Sequence, residues 1–560
     1  MNKIANLVFL ICLFPSTAVL GSMPVTPLTF VSGPAIEINP NPTVPLAAIL
    51  TFETSIPVET QVDITAGDKH RRLEFGSRES RKQQLALVGF QAGLDHEIHV
   101  TVSDAEGNAP PVTRTLGFTA PRLPAGVEEF PVIQVKRRAN TPMEPGITLF
   151  NLRRYAPPLC IAPAQAKEYG ESLGLLVAVD AAGDVIWYYR GDARISDFEL
   201  LANGNIVFLT WDSRAVEIDL LGNVIAQWYA KGRPQGVSDG GTPVDTLTLH
   251  HDIDELPNGN FLVLGTTRRQ IADYRTSELD EHAPRKAQWL MGDEVIEFDR
   301  NGDVVWRWDA FDHLDVHRIG YETFGPYWPR RGFPETLDWS HANTVTPLDD
   351  GSILISFRHQ SAITKVDRRS GQIVWIAGAP SGWSPRLQPK LLRMRGKGKW
   401  FWHQHWPTMS PDGAMLIFDN AVFQANPFDE PVRPAQTGSR IVEYALDEKA
   451  MTIEERWSSL NLQDPPVASF AMGSAQYLPQ TGNLLAGYGL VVSLGEGEEG
   501  AGDWGEILGR GRFWSRIREY THASPPEVVW ELELRAREND RGLGWNSFGA
   551  KRVESLPPQR

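Results

Sequence analysis

The first sign of chemistry in this sequence is a set of polar side chains at one position of a repeated pattern. Five glycine turns, at Gly204, Gly259, Gly351, Gly413 and Gly482, each lead into a short apolar strand such as Ile206-Val207 or Phe261-Leu262. Eight residues before these glycines stand Ser196, His251, Asn343, His405 and Ser474, all polar. If each turn joins the innermost strand of a repeated unit to the next strand, these five residues line one channel. A further step of two residues, the side-chain period of a strand, reaches His341 from Asn343 and His403 from His405. Imidazoles at such positions can attack an electrophile, depart again, or carry a proton near neutral pH. Unpaired buried polar groups cost on the order of 1–3 kcal/mol each, so a ring of this kind is expected to serve a function rather than packing. The same residues also admit a zinc site built on three histidines, or a ligand site without catalysis.

The elements that would hold this ring are legible as a repeat. A second motif ends in tryptophan: Gly183-Asp184-Val185-Ile186-Trp187, Gly302-Asp303-Val304-Val305-Trp306 and Gly371-Gln372-Ile373-Val374-Trp375, with looser copies ending at Trp228, Trp457 and Trp530. The two motifs together supply the strands of one sheet. With a first unit from about Gly146 to Arg190, the count is six. Six sheets closed into a ring bury both faces of each sheet and hide their edges, with the tryptophans packed between neighbours. From Pro24 to about Pro124 the pattern is instead short β runs, Leu46–Phe52 and Val62–Ile64 among them, broken by Pro, Gly and Asp clusters. The expectation is an all-β chain: a small N-terminal β-sandwich over residues 23–124, a linker at Pro121–Gly126, and a six-bladed β-propeller over residues 130–560. The stretch Trp545–Val553 is expected to supply a closing strand.

Composition narrows the function classes. Hydrophobic residues make up 42% of the 560-residue chain, with 18 Trp, 49 Gly and 41 Pro, which describes a packed chain rich in turns. A net charge of −15 argues against a nucleic-acid partner, which needs a cationic surface, yet it leaves room for a local cationic site for a small anion. Met1-Asn2-Lys3, the apolar run Leu7–Phe14 and the small residues through Ser22 have the order of a secretory signal, so residues 1–22 are expected to be removed and the protein exported, without a membrane span. Cys160 is then the one cysteine left, and no disulfide can form within the chain.

Several segments together carry a resemblance: His250-His251-Asp252-Ile253, Ser340-His341-Ala342-Asn343-Thr344-Val345, Ser356-Phe357-Arg358-His359-Gln360 with Ile363–Asp367 after it, and Gln404-His405 followed by Phe418-Asp419-Asn420. In this order they resemble the bacterial arylsulfate sulfotransferase family, and Asn39-Pro40-Asn41-Pro42 with Pro45–Ala48 is similar to that family's amino-terminal domain. The resemblance implies sulfuryl transfer from a small-molecule aryl sulfate donor to a phenolic acceptor by a ping-pong mechanism, independent of the nucleotide donor PAPS. No Gly-rich loop ending in Gly-Lys-Ser/Thr is present to cradle a nucleotide. It implies further that His405 is the nucleophile, forming a sulfohistidine, and that His251, His341, Asn343 and Arg358 stabilise the charge that develops. No cofactor and no metal are implied, a periplasmic location is, and a homodimer is an available assembly. His250 and His403 remain second choices for the places of His251 and His405. The Cys pair of some enterobacterial members is missing, and His359 and Asp419 read as a strand residue and a turn residue. The aromatic loop Arg318–Asp338 reads equally as a blade connection with its own small core or as a lid over aromatic substrates, and the basic stretch Lys390–Lys399 as a steering patch or a solvated face. The rival classes are a quinoprotein dehydrogenase, whose eight blades and calcium-binding carboxylates differ from this pattern, and a noncatalytic ligand-binding propeller.

Overall fold

The computed structural model describes residues 26–556, apart from 79, 138–140, 157–162, 461–465, 494–501 and 538–542. The signal-like segment and Cys160 lie outside the described residues. The fold is all-β. Two sheets come first, one of Phe30–Ile38, Ala47–Thr54 and Lys82–Val88, the other of Lys69–Arg78, Val58–Ala66, Asp95–Asp104 and Val112–Thr119. Alternate residues of Val58–Ala66 are buried, the period-two signature of a sheet with one covered face, and the two sheets share one core as a sandwich.

Six further sheets follow. Blades two to six open from their innermost strands at Ile195–Leu200, His250–Glu255, Ala342–Pro347, His405–Met409 and Ser474–Tyr477, whereas in blade one Ile147–Tyr155 lies second, outside the C-terminal strands Gly544–Asn546 and Ala550–Val553. The ring is closed from both ends of the chain. Ala550–Val553 pairs with Ile147–Tyr155 in blade one, and Val132–Arg137 pairs with Val528–Arg535 on the outside of blade six. Apolar clusters fill the seams between successive blades, as where Trp228 and Leu209 of blade two meet Ile253 and Phe261 of blade three.

The repeated tryptophan explains how neighbouring blades keep their register. Its indole N–H donates to the next blade every time: Trp187 to the Leu220 carbonyl, Trp228 to Arg300, Trp306 to Arg368, Trp375 to the Glu448 carboxylate, Trp457 to Ala523, and Trp530 back to Ala181 in blade one. A large ring that fills the seam and carries one donor at its rim suits this place better than Phe or Leu. The sandwich docks on the ring through Asn39, whose amide donates to the Leu221 carbonyl at 2.9 Å, and through Lys69 against Asp180 and Asp184.

Four inner strands enter their blades through a register shift, at Ile195/Phe198, His250/Ile253, Ala342/Thr344 and His405/Thr408. At or beside these bulges His251, His341 and Trp406 hold positive φ angles of 60°, 48° and 55°, and His403 one of 55°. An extra residue re-aims the side chains that follow it, so strict alternation fails at the positions where the histidines stand.

Candidate active site

The five expected site residues do not all behave alike. His405 is 2% exposed at the start of its strand. Its Nδ1 lies 2.7 Å from Asn420 Oδ1, and its Nε2 lies 3.1 Å from the backbone N–H of Met472. The Asn420 amide settles the protons. Its other terminal atom sits 2.8 and 2.9 Å from the carbonyl oxygens of Ser469 and Met472, a place only an NH2 group can fill, so the oxygen faces His405. His405 therefore donates from Nδ1, and the lone pair on Nε2 accepts from Met472. Burial first, and then the charge of Arg358, holds this imidazole well below its ordinary pKa, so it stays neutral.

His403, two residues earlier, turns to other partners. Its two ring nitrogens face the carbonyl oxygens of Val422 (3.1 Å) and Tyr321 (3.4 Å), neither of which leaves a nitrogen pointed at open space.

His251 and His341 meet, with ring centroids 4.9 Å apart and Tyr327 against both. Proton accounting again applies. His250 Nε2 lies 3.1 Å from the Gly265 carbonyl and must donate, so its bare Nδ1 accepts from His251 Nδ1 at 2.7 Å, and His251 keeps a bare Nε2 facing the Tyr327 hydroxyl at 3.5 Å. The neighbour His250 thus orients His251. His341 Nδ1 is 2.5 Å from Asp338 Oδ2, whose other oxygen accepts from the Trp328 indole at 2.9 Å. Burial pushes the Asp338 carboxyl up and the His341 imidazole well down, so the two share protons across this contact rather than forming a full ion pair.

Asn343 does not share a face with His341, as strand alternation had led one to expect. The bulge at Ala342/Thr344 separates them, and the Asn343 amide donates to the Gln404 carbonyl at 2.7 Å, fixing the peptide just before His405. Arg358 lies near His405 but is not a free fork. One terminal nitrogen pairs with Glu322, another donates to the Phe470 carbonyl at 3.2 Å, and buried Nε has no hydrogen-bond partner. Asp419 closes the strand Met415–Asp419 and His359 lies in the turn after Ser352–Phe357, the reverse of the sequence reading, and Asp419 accepts from the Trp402 and Ala421 amides and from Arg440.

Sequence reasoning gave no role to Asp338, Asn420 or Phe548, weighed Tyr327 only as part of the aromatic loop Arg318–Asp338, and set His359 aside. His359 stacks on His341 at 4.5 Å and donates from Nδ1 to the Asp338 carbonyl at 2.7 Å. One donor atom each from Asp338, His341 and His359 lie within 4.8 Å of one another, a grouping able to hold a metal ion. The Arg318–Asp338 segment is folded down as a cover, Tyr321 stacking on Phe423 and the short helix Tyr327–Arg330 closing over the two histidines. Only the family resemblance could have singled out these irregular segments, since they carry no periodic signal.

A ring of six blades whose inner strands carry polar, strained bulges defines a propeller, and the candidate site gathers at those bulges. The model of the arylsulfotransferase family matches residues 132–539, and the chain belongs to that family. Two arylsulfate sulfotransferases named AssT are similar to it: that of Escherichia coli O6:H1 is 26% identical over 283 residues, 43% of each chain, and that of Lelliottia amnigena 26% identical over 325 residues, 50% of this chain and 51% of its own. The chain thus spans about half the length of the curated relatives it matches. Among solved structures, a Bacteroides caccae protein of unknown function superposes with a TM-score of 0.36 and 12% identity over 72% of this chain and 99% of its own. BamB from Moraxella catarrhalis gives 0.24 and 11% over 73% and 99%. At such scores neither bears on the fold.

Proposed function

We propose that this protein transfers a sulfuryl group from an aryl sulfate ester to a phenol, without PAPS, through a sulfohistidine at His405. The carrying observation is the proton count at His405: a neutral imidazole, Nδ1–H held by Asn420, with its lone pair on Nε2. In the first half-reaction Nε2 forms a bond to sulfur, the bond from sulfur to the aryl oxygen breaks, and the phenolate leaves with that electron pair. The Met472 N–H, which loses the lone pair as acceptor, is then placed to meet a sulfuryl oxygen. In the second half-reaction the acceptor phenol gives its proton to a base, its oxygen attacks sulfur, and the bond from sulfur to Nε2 breaks, restoring His405.

The Asp338–His341 pair suits the proton work. With the acid protonated and the imidazole carrying its proton on Nε2, the pair can release that proton to a phenolate while Asp338 passes its own to Nδ1, and it can run in reverse for the acceptor. His251 offers a second bare Nε2, and Asn343 fixes the Gln404 peptide beside the nucleophile. Arg358 supplies positive charge, which assists departure of an anion. Small aryl substrates fit a net charge of −15 better than a polyanion does, and the signal-like residues 1–22 support export to the periplasm. No helix among the described residues is long and apolar enough to cross a membrane.

The test is a single-turnover experiment. Incubation with a labelled aryl sulfate and no acceptor is expected to release one phenol rapidly and leave one acid-labile sulfuryl group on His405, which added phenol discharges. His405→Ala should abolish labelling and turnover. If His403→Ala does so while His405→Ala does not, the nucleophile is misassigned; if neither matters, the sulfohistidine mechanism fails.

A further inference from the structure

Three arginines converge on the His251 side of the chamber, and the sulfuryl chemistry uses none of them. Arg153 comes from the second strand of blade one, Arg194 from the approach to blade two, and Arg331 from the turn after the helix Tyr327–Arg330. Arg331 lies over the Tyr327 ring at 4.3 Å, and the Tyr327 hydroxyl points to His251. Arg153 lies 5.9 Å from the Phe548 ring, which stands 5.8 Å from the His251 ring and 6.4 Å from that of His405. The guanidinium groups of Arg153 and Arg331 are thus each one aromatic ring away from the reacting histidines, and Arg194 is close enough to act electrostatically on Arg153, Arg331 and Tyr327.

These cations make no direct ion pair among the described residues. Buried arginines are ordinarily paired, because an uncompensated charge out of water costs several kcal/mol. Arg153 is 8% exposed, and its hydrogen bond runs from Nε to the Asn546 side-chain oxygen at 2.9 Å, a neutral partner. Arg331 donates to the Trp211 carbonyl at 3.0 Å, and the buried Nε of Arg194 has no partner. None of the three makes an ion pair among the described residues. Two carboxylates act on the cluster without an ion pair among the described residues: Glu171 on Arg194 and Arg331, and Asp338 on Arg331. Burial and the repulsion of Arg331 hold Arg194 at about 10, so it remains charged at neutral pH. A protein that concentrates three unpaired guanidinium groups beside a chamber for aromatic anions has a place for an anion it does not itself supply.

We infer that Arg153, Arg194 and Arg331 form a second anion subsite, which selects aryl sulfates or phenols bearing a further anionic substituent such as a carboxylate or a second sulfate. The ring of such a substrate would lie among Tyr327, Phe548 and His251, with the reacting group toward His405 and the second anion on the arginines. This inference rests on the proposed reaction for the identity of the reacting end, but not for the existence of the subsite.

The experiment therefore measures binding of unreactive aryl sulfonates by calorimetry. Benzenesulfonate carries one anion, and para-sulfobenzoate adds a carboxylate across the ring. The wild-type protein is expected to bind para-sulfobenzoate at least about tenfold more tightly, the scale of one charge-assisted contact at a desolvated site. That ratio should collapse in Arg331→Gln and in Arg194→Gln, and return in part in Arg331→Lys. Circular dichroism melts of each variant confirm that it is folded, and either variant suffices. Equal affinity of the wild type for the two ligands overturns the inference. So does a ratio unchanged in the variants, or an equal loss of both ligands, which would place the arginines on the reacting group itself. Turnover of para-nitrophenyl sulfate by the wild type reports separately on the proposed reaction, so failure of the one is distinguishable from failure of the other.

Discussion

Removing the Asn420 side chain tests the proton count at His405 directly. As sulfur bonds to Nε2 the imidazole ring becomes cationic, and the hydrogen bond from Nδ1 to Asn420 Oδ1 passes from a neutral to a charge-assisted one. Neutral bonds contribute about 1 kcal/mol and those to charged groups about 1.5–3, so the bond gains on the order of 0.5–2 kcal/mol on the way to the transition state. At about 1.4 kcal/mol per factor of ten, Asn420→Ala is expected to lower kcat/KM by roughly 2- to 30-fold. It does not abolish turnover, because the Met472 N–H still forbids a proton on Nε2 and so keeps the tautomer. Stability should fall by about 3 kcal/mol or more, since the carbonyls of Ser469 and Met472 lose a donor inside the protein. Asn420→Asp approaches the same geometry differently. Its second oxygen would face those two carbonyls, so only the protonated acid fits, and activity should decline as pH rises through its elevated pKa. The assay is release of para-nitrophenol with phenol as acceptor, beside thermal unfolding of each variant. Parental turnover in a normally folded Asn420→Ala protein, or activity of Asn420→Asp that climbs with pH, would refute the assignment of protons.

Four other outcomes follow from the same geometry. Because burial and Arg358 hold His405 well below its usual pKa, the single-turnover burst should persist undiminished from about pH 7 to about pH 5, where an ordinary histidine would be protonated; a burst lost with a midpoint near 6.5 would show an exposed imidazole. Asp338→Asn removes the proton partner of His341 and should slow transfer from esters of weakly acidic phenols at least about tenfold more than transfer from para-nitrophenyl sulfate, and equal slowing would leave Asp338 a structural role. In the channel, burial first and then Glu199 push Asp254 up to about 8, so it folds protonated. The stability this gives is complete below about pH 4 and is lost as pH rises through about 8, so Asp254→Asn should gain on the order of 1–3 kcal/mol over the parent at pH 9 and little at pH 5, measured by urea unfolding. Deleting residues 544–560 removes the strands that pair with Ile147–Tyr155 and should abolish cooperative unfolding, whereas a soluble, cooperatively melting truncation would show that the ring closes without them.

What the sequence made legible is what recurs. The glycine turns and the tryptophans repeat because each blade solves the same packing problem, and counting from the glycine therefore reached His251, Asn343 and His405 on three different inner strands. The same counting misjudged their company. It put His341 beside Asn343 and His403 beside His405, because a strand alternates, whereas bulges and positive φ angles at His341 and His403 send these side chains to Asp338, Val422 and Tyr321 instead. The residues that set proton positions, Asn420, Asp338 and the Met472 amide, lie just past strand ends or in the loops between blades, where no period marks them. Their irregularity has a physical reason. A regular inner strand satisfies its own backbone and presents every second side chain to its neighbours, which makes a good wall and a poor binding site. A backbone held at positive φ in a non-glycine residue costs on the order of 1 kcal/mol or more, and it persists where surrounding contacts over-determine it. His251, His341, His403, Trp406, Ala421, Phe423 and Met472 all hold such angles around one chamber. The concentration of such angles there, where the described non-glycine residues of the sandwich hold none, is a structural argument for function that stands apart from the resemblance to any family.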